Sequence, residues 1–272
     1  MDEQKQALKK FYEDVGEKYP EEEIVYQDLR GKLRRKFIRA YLENFKGTLL
    51  DIGCNQGAYL KDYEGGDRFG VDLSYNVLKK INARDSLFLT VADAENLYNF
   101  RPESFENVLC SEVLEHCLNP EKVFESIAYI LKKNGYALLT TPNYTKFRPT
   151  WIDLGILEDY DISSDCDDGY FHTAYQPQQL EKFAEDAGLT VVKSGTFERE
   201  VKYATRFPVV LLLIGRFLNK KLFHSHKFQR MNESLFNKLT LWIYNICHYS
   251  GVEKLLLMFF PIGVRSFILM KK

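Results

Sequence analysis

The segment Thr48-Leu-Leu-Asp-Ile-Gly-Cys-Asn-Gln-Gly-Ala-Tyr-Leu60 constrains this chain more than any other. Leu49, Leu50 and Ile52 form the short apolar run of a strand buried in a parallel sheet. Asp51 lies inside that run, and Gly53 and Gly57 follow it. Glycine accepts positive φ and lets backbone N–H groups come close to a ligand. A strand, a glycine turn and a helix starting near Ala58 therefore predict a cradle for a nucleotide-like molecule.

Dinucleotide dehydrogenases open in a similar way, so the residues that follow decide between the two. Arg68-Phe-Gly-Val-Asp-Leu73 predicts a second strand ending in Asp72, about 20 residues after the turn, where a carboxylate can accept both hydroxyls of a ribose. Leu87-Phe-Leu-Thr-Val-Ala-Asp-Ala94 predicts a third strand ending in Asp93. A fourth spans Phe105-Glu-Asn-Val-Leu-Cys-Ser-Glu-Val113 and runs into Leu-Glu-His116, and Gly135-Tyr-Ala-Leu-Leu-Thr-Thr-Pro-Asn143 is the fifth. A single carboxylate at a strand end is an ordinary turn residue. Three at successive strand ends line one edge of a parallel sheet, and a dehydrogenase has no role for the third acid or for Glu-Val-Leu-Glu-His.

This series resembles the class I S-adenosylmethionine (SAM) dependent methyltransferases, in the branch with D-x-G-C-x-x-G, E-V-L-E-H and a fifth strand ending T-P-N. The resemblance covers residues 45–198. It implies an α/β fold: a Rossmann-like, doubly wound, seven-stranded mixed sheet with an N-terminal helical cap and a helical insertion before the last strand. It also implies SAM as cosubstrate. Asp51 would lie near the methionine part, Gly53 and Gly57 would form the turn, and Asp72 would hold the ribose. Asp93 would meet the adenine amino group with Ala94 beside it, and Leu73 and Ser111 would complete the cofactor contacts. Asn55 stands where the family most often has glycine, and its side chain tolerates the left-handed region.

Methyl transfer from a sulfonium is an in-line displacement, so the protein must hold the acceptor against the methyl and, for a hydroxyl, remove its proton. Glu112, Glu115 and His116 stand at i, i+3 and i+4, which on a helical turn is one face. His172 precedes the helix leading to the sixth strand. Glu112, His116 and His172 are thus the expected catalytic residues near the acceptor.

Two relatives share this look. The ubiquinone-biosynthesis O-methyltransferases carry E-V-L-E-H in the same place. The small-RNA 2′-O-methyltransferases carry E-x-x-E-H with a later histidine as a metal site. Carried over, Glu112, Glu115, His116 and His172 would ligate Mg²⁺ or another divalent cation that polarises a hydroxyl. In the plainer reading the two glutamates anchor the loop and contact SAM while His116 packs as a partly buried histidine.

Other features bound the rest. At 272 residues the chain can bury a large core. Its opening Met-Asp-Glu-Gln-Lys-Gln holds no apolar stretch, so a secretory signal is not expected and a cytoplasmic location is. Cys54, Cys110, Cys117, Cys166 and Cys247 lack C-x-x-C spacing and imply neither a disulfide framework nor a zinc knuckle. Residues 3–46 read as helical, broken at Pro20, with a stripe of Leu33, Phe37, Ala40 and Tyr41. Asn119 and Pro120 read as cap and first turn of a helix, ending near Lys132, Lys133 and Gly135, that presents Val123, Phe124, Ile127, Ile130 and Leu131. Residues 144–171 read as an irregular, aromatic connection, and Val264–Met270 as the last strand.

The expected organisation is a cap over 1–46, a SAM-binding core over 47–198, a helical insertion over 199–262 and the last strand over 263–272. A net charge of −1 hides strong segregation along it. Residues 151–200 carry twelve acids against three basic residues, and 201–240 carry eight basic residues against Glu233 alone. Those basic residues lie among Leu, Ile and Phe rather than in a polar groove, which argues against nucleic acid. The apolar stretches of 199–262 fall short of the roughly 20 residues that span a bilayer and suit a lid, a homodimer interface or a peripheral membrane contact. The expected function is O-methylation of a small-molecule or lipid-like acceptor. RNA-end 2′-O-methylation and a noncatalytic SAM- or lipid-binding role are the alternatives.

Overall fold

The computed structural model describes residues 3–20, 27–82, 86–143, 151–163 and 169–272. Its strands are β1 (Leu49–Ile52), β2 (Arg68–Asp72), β3 (Phe88–Val91), β4 (Phe105–Ser111), β5 (Leu131–Pro142), β6 (Trp151–Asp153), β7 (Gly169–Phe171), β8 (Thr190–Phe197) and β9 (Arg265–Lys271). Seven of them make one sheet in the order β3-β2-β1-β4-β5-β9-β8, and β6 pairs with β7 in a small second sheet. The pairs from β3 to β5 are parallel, and β9 runs antiparallel to β5. The expected seven-stranded mixed sheet is the observed one. Its order reverses between β1 and β4, and such a switch point opens a crevice beyond the carboxyl ends of the strands.

The sequence chemistry explains the layers. All four residues of β1 are buried, and Leu50 and Ile52 join Val108, Cys110 and Leu139 in the main core. The helix Pro120–Ile130 covers that face with the expected Val123, Phe124, Ile127 and Ile130, all fully buried. Its start departs from expectation, because the Asn119 side chain caps nothing and instead donates to Glu95 Oε2 at 2.9 Å. Pro120 at the first turn suffices, since that position needs no N–H partner. The helix also stops at Ile130, before the lysines and Gly135, where the chain enters β5.

By its contacts the chain divides into two compact units: Met1–Pro20 with Lys36–Gly195 and Arg265–Lys272, and Glu21–Arg35 with Thr196–Val264. In the first unit, Phe37 packs on Phe267 of β9 with ring centroids 4.9 Å apart. Within 144–171, expected to be irregular, the described residues form β6, the 3₁₀ turn Gly155–Tyr160 and β7. Cys166, Asp165, Asp167 and Asp168 fall outside the described residues. The second unit holds the helices Glu200–Ala204, Pro208–Leu218, His226–Tyr249 and Glu253–Phe259. Leu29, Tyr203 and Ala204 form its small core with Leu33, Leu241 and Tyr244 around them. Arg199 donates to the carbonyls of Phe260 and Leu257, satisfying backbone that the end of the last helix leaves open.

Candidate active site

The three acids arrive at one edge of the sheet from three different strands. Asp51, within β1, is 1 % exposed, and among the described residues its Oδ2 has no hydrogen-bond partner. Burial, and then the nearby Asp72, push its carboxyl well above the ordinary carboxylate range. Asp72 ends β2 and accepts the backbone N–H groups of Asn55 at 2.9 Å and Ser74 at 3.0 Å. Burial raises its pKa and those bonds pull against the rise. Asp72 thus ties the glycine turn after β1 to the loop after β2.

The turn itself has the predicted conformation. Gly53 and Gly57 stand at φ +70° and +75°, and Asn55 at +49°. A side chain on Gly53 would collide with Val113, so that position needs glycine twice over. The N–H groups of Gly53 and Cys54 both reach the carbonyl of Val71, at 2.8 and 2.9 Å. Leu73 and Ala94 lie half-buried in the loops beside Asp72 and Asp93.

Asp93 follows β3, and its setting includes a residue that the sequence reading missed. Its Oδ1 accepts the N–H of Glu95 at 2.9 Å, and its Oδ2 meets Lys5 Nζ at 2.8 Å. Lys5 also pairs with Glu95 at 2.7 Å. It comes from the N-terminal helix Glu3–Lys18, which docks further along through Glu13. The Glu13 carboxylate accepts from the backbone of Tyr75 and Asn76 and from Ser74 Oγ, all within 3.0 Å. Gly16 lies so close that a Cβ there would collide with Ser74 Oγ. A glycine inside an amphipathic helical pattern was the available signal for this close approach.

Where β4 ends, the acceptor side begins. Ser111 Oγ lies 2.9 Å from Thr140 Oγ1, which also meets Glu112 Oε1 at 3.2 Å. Glu112 takes φ +58°, and its Oε2 pairs with Arg265 of β9 at 2.7 Å. Only Leu114–His116 form a 3₁₀ turn, so Glu112 stands before it. The expected single helical face of Glu112, Glu115 and His116 is therefore not formed. Glu115 is buried and accepts from Thr141 Oγ1 at 3.2 Å. Burial and the neighbouring Glu112 hold its carboxyl well above the usual range.

His116 and His172 do come together, with ring centroids 5.0 Å apart. His116 Nδ1 lies 3.4 Å from the carbonyl of Phe171, and donation to that carbonyl leaves Nε2 as the basic nitrogen. Burial lowers the pKa of His116 to about 4. Burial, with His116 beside it, lowers that of His172 to about 3. Both imidazoles are neutral at physiological pH. Tyr12 and Tyr170 flank His116, at 5.4 and 6.0 Å between centroids.

The metal expectation fares differently. Among the described residues no group of three or more His, Cys, Asp or Glu side chains is arranged to hold a metal ion. Glu112 turns to Arg265 and Glu115 is buried on Thr141, so Glu112, Glu115, His116 and His172 do not present a converging donor set.

Residues 26–194, more than half of the chain, match the family model described as a methyltransferase domain. A ubiquinone biosynthesis O-methyltransferase of Photobacterium profundum is 28% identical over 142 residues, which are 48% of this chain and 60% of that protein. The namesake from Methylococcus capsulatus is 33% identical over 119 residues, 41% of this chain and 50% of that one. The chain thus spans 50–60% of the length of these curated relatives. Among solved structures, an S-adenosylmethionine dependent methyltransferase from Mesorhizobium loti superposes with a TM-score of 0.52 at 13% identity, over 87% of this chain and 96% of that one. The cyclase SpnF superposes at 0.51, again at 13%, over 88% of this chain and 80% of that one. At such identities the likeness speaks for the fold, and the reaction must be argued from the site.

Proposed function

The chain belongs to the class I S-adenosylmethionine-dependent methyltransferase family, and on that premise we propose that it transfers the SAM methyl group to an oxygen of a small-molecule or lipid-like acceptor. The observation that carries this reading is Asp51: a carboxylate buried at a switch point with one oxygen unpartnered calls for a cationic ligand, and the methionine end of SAM is cationic. Asp72 takes the ribose hydroxyls, with Asn55, Gly53, Gly57 and Leu73 shaping the turn around it. Asp93 and Ala94 border the adenine, and Ser111 completes the cofactor contacts. On the acceptor side the neutral Nε2 of His116 accepts the proton of an acceptor hydroxyl as the methyl arrives, and His172 and Glu112 orient that hydroxyl. Oxygen as the target is favoured by the two neutral imidazoles and by relatives named O-methyltransferases.

Calorimetry tests the cofactor half. SAM and S-adenosylhomocysteine should bind and NAD should not. A buried charge-assisted hydrogen bond is worth ~1.5–3 kcal/mol, so Asp72→Ala should weaken SAM at least about tenfold. Unchanged affinity in that variant, or NAD binding as tightly as SAM, would refute the assignment. Trapping S-adenosylhomocysteine during incubation with candidate hydroxyl acceptors separates an enzyme from a SAM-binding regulator. His116→Ala should abolish turnover while leaving SAM affinity intact.

A further inference from the structure

Outside its small core the second unit carries many exposed apolar side chains. Its helix Pro208–Leu218 buries only Pro208, Leu212 and Gly215, while Val210, Leu213, Ile214 and Phe217 stand exposed. In the helix His226–Tyr249 the exposed Met231, Leu235, Trp242, Ile246 and Tyr249 recur so that, at about 100° per residue, they fall within one arc of about 60°. Lys227 and Lys238 are also exposed and extend that arc to about 100°, and no carboxylate lies in it. Glu233, the single acid between 201 and 240, points away from the arc and pairs with Arg216 at 3.3 Å. At the end of the shorter helix, Lys221 Nζ sits 5.4 Å from the ring centroid of Phe217, its stem lying along apolar surface.

We propose that these apolar stripes, with the basic side chains set among them, seat the second unit on the surface of a bilayer containing anionic lipid. Among the described residues no helix is long and apolar enough to cross a membrane, so the contact is with the surface. An interfacial helix buries its apolar face at the boundary of headgroups and acyl chains. Trp and Tyr suit headgroup depth, and basic residues are drawn to anionic lipid. Charge selects this occupant over a second copy of the chain. A two-fold contact through this face would set Lys227 and Lys238 against the same lysines of the second copy with no carboxylate in the arc to answer them, whereas anionic lipid offers the opposite sign. The overall charge of −1 makes the attraction local to this unit.

The test uses the whole chain and two kinds of vesicle, phosphatidylcholine alone and phosphatidylcholine with an equal part of phosphatidylglycerol. The protein should sediment with the mixed vesicles at low salt and be released at about 0.5 M NaCl, where charge is screened within a few ångströms. Most of it should stay in the supernatant with phosphatidylcholine alone. Lys220→Glu with Lys221→Glu should weaken binding to mixed vesicles at least about tenfold, and so should Ile214→Asp, with melting temperatures unchanged because all three positions are exposed. Failure to sediment at any salt, equal binding to both vesicles, or undiminished binding of the charge-reversed variant would each overturn the proposal. So would a stable dimer in lipid-free solution that Ile214→Asp dissociates, which would assign the stripes to a second copy. None of these readouts depends on methyl transfer.

Discussion

At the scale of a single residue, Asp51 couples the cofactor to a proton. Burial and Asp72 raise its pKa, so the carboxyl holds its proton to higher pH than an exposed aspartate does. A cationic ligand beside it favours the ionised form and expels that proton. SAM should therefore bind with net proton release, and more tightly as pH rises through the raised pKa. Calorimetry in two buffers of different ionisation enthalpy measures the release directly. Asp51→Asn should lose both the release and the pH dependence, and identical apparent enthalpies for the parent in the two buffers would contradict this account.

At the scale of elements, the N-terminal helix is held by three devices on one side: Lys5 on Asp93 and Glu95, Glu13 on the backbone after β2, and Gly16 against Ser74. Gly16→Leu should break that packing, so that the amides of 3–18 exchange hydrogen faster while those of β1, β4 and β5 stay protected, and SAM should bind more weakly. Equal exchange in the variant would mean that the helix tolerates the side chain. The first strands and the acids at their ends were legible because an apolar run, a glycine and an acid form a local pattern. Lys5, Glu13 and Arg265 were not, since each acts on a partner far away in sequence, and spacing carries no record of such pairs. Glu112 misled for a related reason: i, i+3 and i+4 describes a helix only if the backbone is helical, and the chain leaves β4 through a left-handed residue.

At the scale of the whole molecule, acid stability should follow the buried histidines. A histidine near 6.5 when unfolded but near 4 or 3 when folded leaves the unfolded chain binding more protons between those values. Stability contributed by the neutral imidazoles is therefore complete above about pH 6.5 and is lost as pH falls toward 4. Asp51 and Glu115, whose pKa values are raised, act in the opposite sense, favouring the folded state at the lower pH. Comparing variants separates the two: His172→Asn should flatten the fall in melting temperature between pH 6.5 and 4, and Asp51→Asn should steepen it. Parallel profiles for parent and His172→Asn would remove His172 from the account.

The sheet also sets a folding problem, because neighbouring strands β8 and β9 are separated by everything from 198 to 264. Closing a flexible connection of that length costs about 2 kcal/mol more than closing a short turn, and the search for the partner strand slows accordingly. The second unit removes much of that search by tying its own two ends together: the Gly263 N–H donates to Thr196 Oγ1 at 2.9 Å. Gly263 also lies so close to the Phe197 backbone that no side chain fits there. Once this unit has folded, the entry and exit of the long connection are already side by side, and β9 meets its place in the sheet as though it followed a hairpin.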